Sequence, residues 1–337
     1  MKQNNAALWT TMTVLLIAVF FLSLAAGRFA IAPGEVCDIL MRAAGGNAGT
    51  DMASTVVLEL RLPRTLIAML VGAGLSLSGA VYQGIFRNPL VSPDVLGVSS
   101  GAGFGAVLGI LLWGTGTGTS VIAFVCGMAS VGLVYYFSRS RGSVSMMSLV
   151  LSGIIISSIF SALISLVKYS ADPYDKLPAI TYWLMGSFAK ADFDKIQIIG
   201  LPMIAAGALL IAIRWRINIL SLGEEEARSL GVNPARIRNI AIVAATILTA
   251  LSVTACGIVG WVGLVIPHMC RRMVGVDHAR LLPAACFMGA IFLALVDICA
   301  RSLLAAELPI GILTALLGAP FFAFLLKRTR EKQGDWS

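Results

Sequence analysis

Few residues in this sequence have types and spacings suited to chemistry. "GVSSG" at 97–101 has the G-x-S-x-G form of a nucleophile elbow, which would present Ser99 for acyl transfer. The two histidines are His268 and His278, and the six cysteines are Cys37, Cys126, Cys256, Cys270, Cys286 and Cys299. No cysteine pair has the C-x-x-C spacing that builds a zinc site. No lysine precedes Ser or Thr, which excludes the phosphate loop G-x-x-x-x-G-K-[ST] and its ATP site. Asp297 and Arg301 stand at i and i+4 within an apolar run. An ionisable residue there is a functional hypothesis by default, and mutual neutralisation is the competing reading.

These residues sit in a chain of 337 that is 58% hydrophobic and 12% charged, with a mean hydropathy of +0.89. Soluble domains carry about 25% charged residues, so a soluble enzyme is excluded. A hydrocarbon core of about 30 Å needs roughly 20 apolar residues at 1.5 Å each, and such runs recur along the sequence. They are continuous, as in "TVLLIAVFFLSLAAG", not alternating as in a membrane barrel. The reading is an all-α polytopic membrane protein, with spans near 8–28, 62–85, 95–113, 119–137, 145–167, 193–213, 281–302 and 309–326. In that setting the Ser99 elbow lacks the strand, and the sheet-borne His and acid, that it needs. Gly97, Gly101, Gly105 and Gly109 instead recur every fourth residue and predict a flat helix face for close packing. Most of the cysteines read as small buried packers.

The stretch 238–270 is too long for one untilted helix and is interrupted by Gly257, Gly260, Gly263 and Pro267. With a cytoplasmic N-terminus, and this stretch divided into a full span (238–257) and a short one (258–270), the chain crosses ten times. The inside then holds sixteen basic residues against seven acidic ones, and the outside nine of each, as the positive-inside rule requires. A single span would put Arg271, Arg272 and Arg280, or the basic C-terminus, on the wrong side. The short span covers about 20 Å and must be sheltered by neighbouring helices. The basic excess, 25 against 17, thus reflects membrane sidedness and not nucleic-acid binding.

Several segments carry more order than a plain loop requires. Arg61 and Arg64 lie at the outer mouth of the second span, three apart on one face, with Pro63 suited to a helix's first turn. They are either interfacial anchors or docking contacts for an acidic external partner. At the inner end, "RNPLVSPD" (87–94) makes a turn that places Asp94 near the next helix N-terminus. In "LSLGEEEARSLGVNPARIR" (220–238), Glu224, Glu225 and Glu226 open a short helix and Arg228 lies near its end. Gly231 supplies a left-handed cap and Pro234 prevents continuation. Ala227 and Leu230 form a small apolar face, and the whole has the shape of a knob for a partner's groove. "CGIVGWVGLVIPHMCRRMVG" (256–275) ends in Arg271 and Arg272, and its lone His268 is expected in a structural hydrogen bond, not on a metal.

Taken in order, "RLPR" (61–64), "GAVYQGIFRNPLVSPDVLGVSSGAG" (79–103), "DPYDKLPAITYWLMGS" (172–187), "LGEEEARSLGV" (222–232), "GIVGWVGLVIPHMCR" (257–271) and "ELPIGILTALLGAPFFAFLLK" (307–327) carry a family likeness. Over nearly the whole chain they resemble the FecCD-type permeases, membrane subunits of ATP-binding-cassette importers for iron-siderophores, haem and cobalamin. The resemblance implies one transmembrane permease domain over 1–337, of ten helices and similar to the vitamin B12 permease, with a cytoplasmic coupling segment at about 220–238. It implies that Arg61, Arg64 and Arg301 contact acidic residues of a substrate-binding protein. It also implies that Glu224, Glu225, Glu226, Ala227, Arg228, Leu230 and Gly231 couple to an ATPase, and that Asn88, Pro89 and Leu90 lie at a cytoplasmic gate. Where the vitamin B12 permease has small hydroxyl residues at a second constriction, this chain has Met146 and Met147. Methionine is flexible and apolar, so the cargo is not carried over from the cobalamin case.

The partners implied are a second permease copy forming a homodimer, two cytoplasmic ATP-binding subunits and an external binding protein. The setting is the bacterial cytoplasmic (inner) membrane, with both termini inside. The chain itself is expected to hold no catalytic residue, no metal and no cofactor, with ATP and Mg on the partner ATPase. The cargo implied is a metal chelate, foremost an iron(III)-siderophore, with haem, cobalamin or molybdate as alternatives. An ion-driven secondary transporter is the rival from another class. It needs acidic or His relays at mid-membrane, and only Asp297, near one end, comes close.

Overall fold

A computed structural model describes the backbone of residues 5–47, 49–140, 143–304 and 306–334. The helices are α1 (Asn5–Ala25), α2 (Pro33–Ala44), α3 (Met52–Thr55), α4 (Leu62–Ile85), α5 (Val98–Trp113), α6 (Thr117–Ser138), α7 (Met146–Ser170) and α8 (Lys176–Met185). They continue as α9 (Phe193–Ala212), α10 (Arg214–Leu222), α11 (Glu224–Ser229), α12 (Pro234–Cys256), α13 (Val262–Val274), α14 (His278–Ser302) and α15 (Ile310–Gly334). The remaining regular structure is a π-helical stretch Val56–Arg61, a 3-10 turn Pro93–Leu96, and a pairing of Arg139–Ser140 with Ser143–Val144.

Among the described residues, seven helices are long and apolar enough to cross a membrane, with α3 through α4 counting as one run, Met52–Ile85. Two shorter apolar helices, Val98–Trp113 and Ile310–Phe324, and the short α13 correspond to the other three spans expected. The helix break in 238–270 falls where the glycines suggested. Gly257 takes φ +79, the backbone runs unwound to Trp261 at φ +71, and α13 begins at Val262. Backbone groups freed at such a break need partners within the protein. Ser187 N donates to Cys256 O at 2.7 Å, and Ile310 N to Gly186 O at 2.9 Å. The end of α8 and the start of α15 therefore close around the unwound stretch.

The centre of the bundle is α4, buried along most of its length and packed on α12, α13 and α14. Water does not drive helices together inside a membrane, so close backbone approach and polar pairs do the work. A Cβ on Gly72 would strike the Gly289 carbonyl of α14, and one on Gly79 the Gly263 carbonyl of α13. The second contact seats the short helix and provides its shelter. Toward α12, Ser78 Oγ meets Thr249 Oγ1 at 2.8 Å and Tyr82 OH meets Thr246 Oγ1 at 2.9 Å. The glycine face of α5 packs on α6: Cβ atoms on Gly101, Gly105 and Gly109 would meet Cys126 O, Ile122 O and Thr119 Cα. Gly97 stands apart, as a left-handed cap at φ +74 facing Ser157 of α7.

Three helices and one junction depart from the sequence reading. α2, α8 and α10 fill stretches expected to be loop, each too short to span. Pro63 does stand in the first turn of α4, but the helical rod begins eleven residues earlier at Met52 and passes through the π-helical stretch. A widened turn accommodates a residue that has no N–H to give. The expected siting of both termini falls on residues 1–4 and 335–337, outside the described residues.

Candidate functional site

The end of the bundle remote from α11 holds Arg64 and Arg301 in one ionic cluster with Asp297 and Glu307, with Arg61 against the neighbouring end of α1. Arg64 donates Nε to both Asp297 oxygens at 2.9 and 3.2 Å, places Nη2 at 2.8 Å from Oδ1, and reaches Glu307 Oε1 with Nη1 at 2.8 Å. Arg301 Nε lies 3.4 Å from Asp297 Oδ2, and its Nη2 donates to Ser23 O and Oγ at 2.5 and 2.8 Å. Arg61 donates to the carbonyls of Leu24, Ala25 and Phe29, closing the end of α1. Asp297 is fully buried, and the side chains of Arg64 and Arg301 are 11% and 8% exposed. The three arginines lie at one end of the bundle, but Arg61 and Arg64 do not act as one face: Arg61 turns to the end of α1 and Arg64 to α14, and all three heads point inward. Asp297 neutralises two guanidiniums, one from its own helix and one from α4, so the simple i, i+4 pair is the smaller part of its environment.

At the opposite end, α4 stops in the turn 86–92. Arg87 takes φ +49, Asn88 N donates to Gln83 O at 3.1 Å, and Asn88 Oδ1 accepts Leu90 N at 2.9 Å. An Asx turn of this kind holds Asn88, Pro89 and Leu90 out, and Leu90 is 53% exposed. Beside it, α7 packs on the 3-10 turn, with Met147 exposed and Met146 half-buried against the core. Gln83 ties this corner together, donating to Val91 O at 3.2 Å and Gly263 O at 3.4 Å while accepting Arg271 Nη1 at 2.5 Å. No sequence pattern pointed to Gln83, because its partners lie 8 and 180 or more residues away. Ser99, the formal elbow residue, donates its hydroxyl to Asp94. Desolvation pushes the Asp94 carboxyl above its usual range, and the Ser99 hydrogen bond opposes that shift.

The helix α11 forms as expected, with three glutamates in its first turn and Gly231 left-handed at φ +75. Glu224 pairs with Arg228 at 3.6 Å and with Arg238 of α12, while Pro234 opens α12. The small apolar face does not form, since Ala227 is fully buried and Leu230 is 59% exposed. Six residues of helix lying against α10 and α12 turn positions three apart to opposite environments. At His268, where a structural hydrogen bond is expected, the buried Nδ1 finds no partner among the described residues. His278 finds one instead, its Nδ1 lying 3.2 Å from Asn218 Oδ1 on α10. Among the described residues no group of His, Cys, Asp or Glu is gathered to hold a metal. Cys256 and Cys270 are buried, but Cys37 and Cys299 are exposed, so packing accounts for only part of the set.

The FecCD transport family model matches residues 15–328. Over 322 residues, 95% of each chain, the sequence is 43% identical to the "Molybdate import system permease protein MolB" of Haemophilus influenzae. It is 40% identical over 296 residues, 88% of this chain and 90% of the other, to a "Probable iron chelatin transport system permease protein" of Helicobacter pylori. A solved structure described as an inward-facing conformation of a putative metal-chelate type ABC transporter superposes with a TM-score of 0.87 at 41% identity, covering 96% of this chain and 99% of that one.

Proposed function

The chain belongs to the FecCD transport family, and on that premise we propose that it is the permease subunit of an importer for an iron(III)-siderophore, driven by ATP hydrolysis on partner subunits. That it is a multi-pass ABC importer permease follows from the family and its apolar helices. The cargo, the assembly and the orientation are the proposal. In it, residues 1–337 make one permease domain in the bacterial inner membrane, with both termini and α11 on the cytoplasmic side. The chain pairs with a second copy, two ATP-binding subunits and an external binding protein, and carries no cofactor of its own. Exposed glutamates and Leu230 on α11 supply the coupling contact, and the turn at Asn88, Pro89 and Leu90 with Met146 and Met147 forms the inner gate.

The observation that carries this reading is the placement of α11. It is a short charged helix anchored by buried Ala227 and the Glu224–Arg238 pair, with its remaining surface presented outward. The binding protein docks at the opposite end, over Arg61, Arg64 and Arg301, whose guanidiniums here face inward. Small helix faces let a bulky chelate pass without tight holding, as conduction requires. The ion-driven rival loses its one candidate relay, because Asp297 is locked between two guanidiniums. A second reading, molybdate as cargo, is favoured by the name of the Haemophilus relative.

Reconstitution in liposomes with the ATPase and binding protein tests both, by ATP-dependent uptake of ferric siderophore, molybdate, haem and cobalamin. Uptake of ferric siderophore alone supports the proposal, and uptake of molybdate alone replaces the cargo while keeping the mechanism. Transport of any of them without the ATPase refutes the mechanism.

A further inference from the structure

A cavity of about 680 Å³ lies between the starts of α6 and α9, the end of α12, and α8. It sits at the end of the bundle remote from α11 and takes no part in the transport reading. Its floor and walls are apolar, from Val121, Phe124, Ile198, Ile199, Pro202 and Leu251. Its mouth is charged, with Lys190, Lys195, Asp192 and Asp194. Lys190 Nζ donates to Thr115 Oγ1 at 2.8 Å, and Lys195 Nζ to Lys190 O at 2.7 Å. An ammonium has three donors, so neither bond exhausts its lysine. The flank is apolar as well. Val121 and Ile198 are 55% and 58% exposed, and below them Val125, Leu201 and Ile204 continue the same exposed apolar faces of α6 and α9. In a membrane-spanning bundle such faces meet acyl chains.

An apolar chamber continuous with a lipid-facing flank, under a mouth of two cations and two anions, is complementary to one kind of amphiphile. We propose that this cavity binds a phospholipid with a zwitterionic, primary-ammonium headgroup, phosphatidylethanolamine. An acyl chain enters between α6 and α9, the phosphate meets Lys190 and Lys195, and the ammonium donates to Asp192 and Asp194. Volumes of this order are typical of small-molecule sites, roughly 300–1,000 Å³. Phosphatidylglycerol offers no cation to the aspartates. Phosphatidylcholine offers a cation with no N–H, so it forgoes the charge-assisted bonds. The inference does not depend on which cargo is carried or which partners assemble.

The test is native mass spectrometry of the purified full chain in detergent, after exposure to equal amounts of phosphatidylethanolamine, phosphatidylglycerol and phosphatidylcholine. Phosphatidylethanolamine should be retained about tenfold over either competitor, the equivalent of about 1.4 kcal/mol. Asp192→Asn with Asp194→Asn should abolish the preference, while Lys190→Gln with Lys195→Gln, and Val121→Trp at the exposed rim, should lower retention of all three lipids. Continued shielding of buried Cys270 from a thiol reagent verifies that each variant is folded. Equal retention of the three lipids, a preference for phosphatidylglycerol, or a preference that survives the aspartate substitutions would overturn the proposal.

Discussion

Asp297→Asn is the sharpest perturbation of the ionic cluster. The wild-type carboxylate is fully buried and faces Arg64 Nη2 at 2.8 Å and Arg301 Nε at 3.4 Å. Removing one partner of a buried pair costs about 3–5 kcal/mol, because the other charge is left uncompensated. Here Arg64 keeps Glu307, Arg301 keeps Ser23, and the amide retains one acceptor oxygen. The expected loss is therefore at the low end, about 3 kcal/mol. Thermal unfolding in detergent can be followed with a thiol-reactive dye. Cys37 and Cys299 are exposed and react at once, whereas Cys256 and Cys270 are buried and react only as the bundle opens. Adding Arg301→Met should recover part of the loss, since the stranded charge goes with it and Ser23 still bonds Thr65 at 2.7 Å. A midpoint for Asp297→Asn no lower than that of Glu35→Gln, a change on an exposed position of α2, would refute the reasoning.

Four further outcomes are expected, in two pairs. Gly79→Ala forces a methyl against the Gly263 carbonyl and should destabilise by about 1–3 kcal/mol or more in the same assay. Gly132→Ala on α6, with no atom within 4 Å of the new Cβ, should be neutral or stabilising by up to about 1 kcal/mol. On α11, Leu230→Arg should leave the unfolding midpoint unchanged and lower ATP-driven uptake. Ala227→Arg buries an unpaired charge and should lower the midpoint itself. Equal effects of the two on uptake with no difference in midpoint would mean that α11 is not held as described.

What could be read from the sequence followed the length scale of each signal. Spans of twenty apolar residues and the every-fourth glycines of α5 are local patterns, and both appear where the spacing put them. The break after Cys256 was legible because glycine runs and charge sidedness argued together. Short helices were not. α10 begins with "RWR" and α8 contains a proline, so neither shows an apolar run or a clean period. The site failed differently. Arg61 and Arg64 are three apart, yet one turns to the end of α1 and the other to α14. Arg64 and Asp297 are 233 residues apart, and no local rule reports such a pair. Ala227 and Leu230 show the limit of helix-face arithmetic, since the angle between two residues says nothing about where the helix will lean.

The unwound stretch after Cys256 bears on how the protein is made. Chain synthesis delivers Ser187, the donor to Cys256 O, long before α12 exists, so that bond can close as soon as α12 enters the bilayer. The donor to Gly186 O is Ile310, at the start of the last helix. Gly311 also packs there, 3.1 Å from Ile258 O by the position a Cβ would take. Until α15 is in place, the Gly186 carbonyl and one flank of the unwound backbone lack the neighbours that α15 supplies. A permease of nine helices therefore has an open seam beside the unwound stretch. The C-terminal helix is in this sense the closing stitch of biogenesis, whatever it contributes to the pathway afterwards.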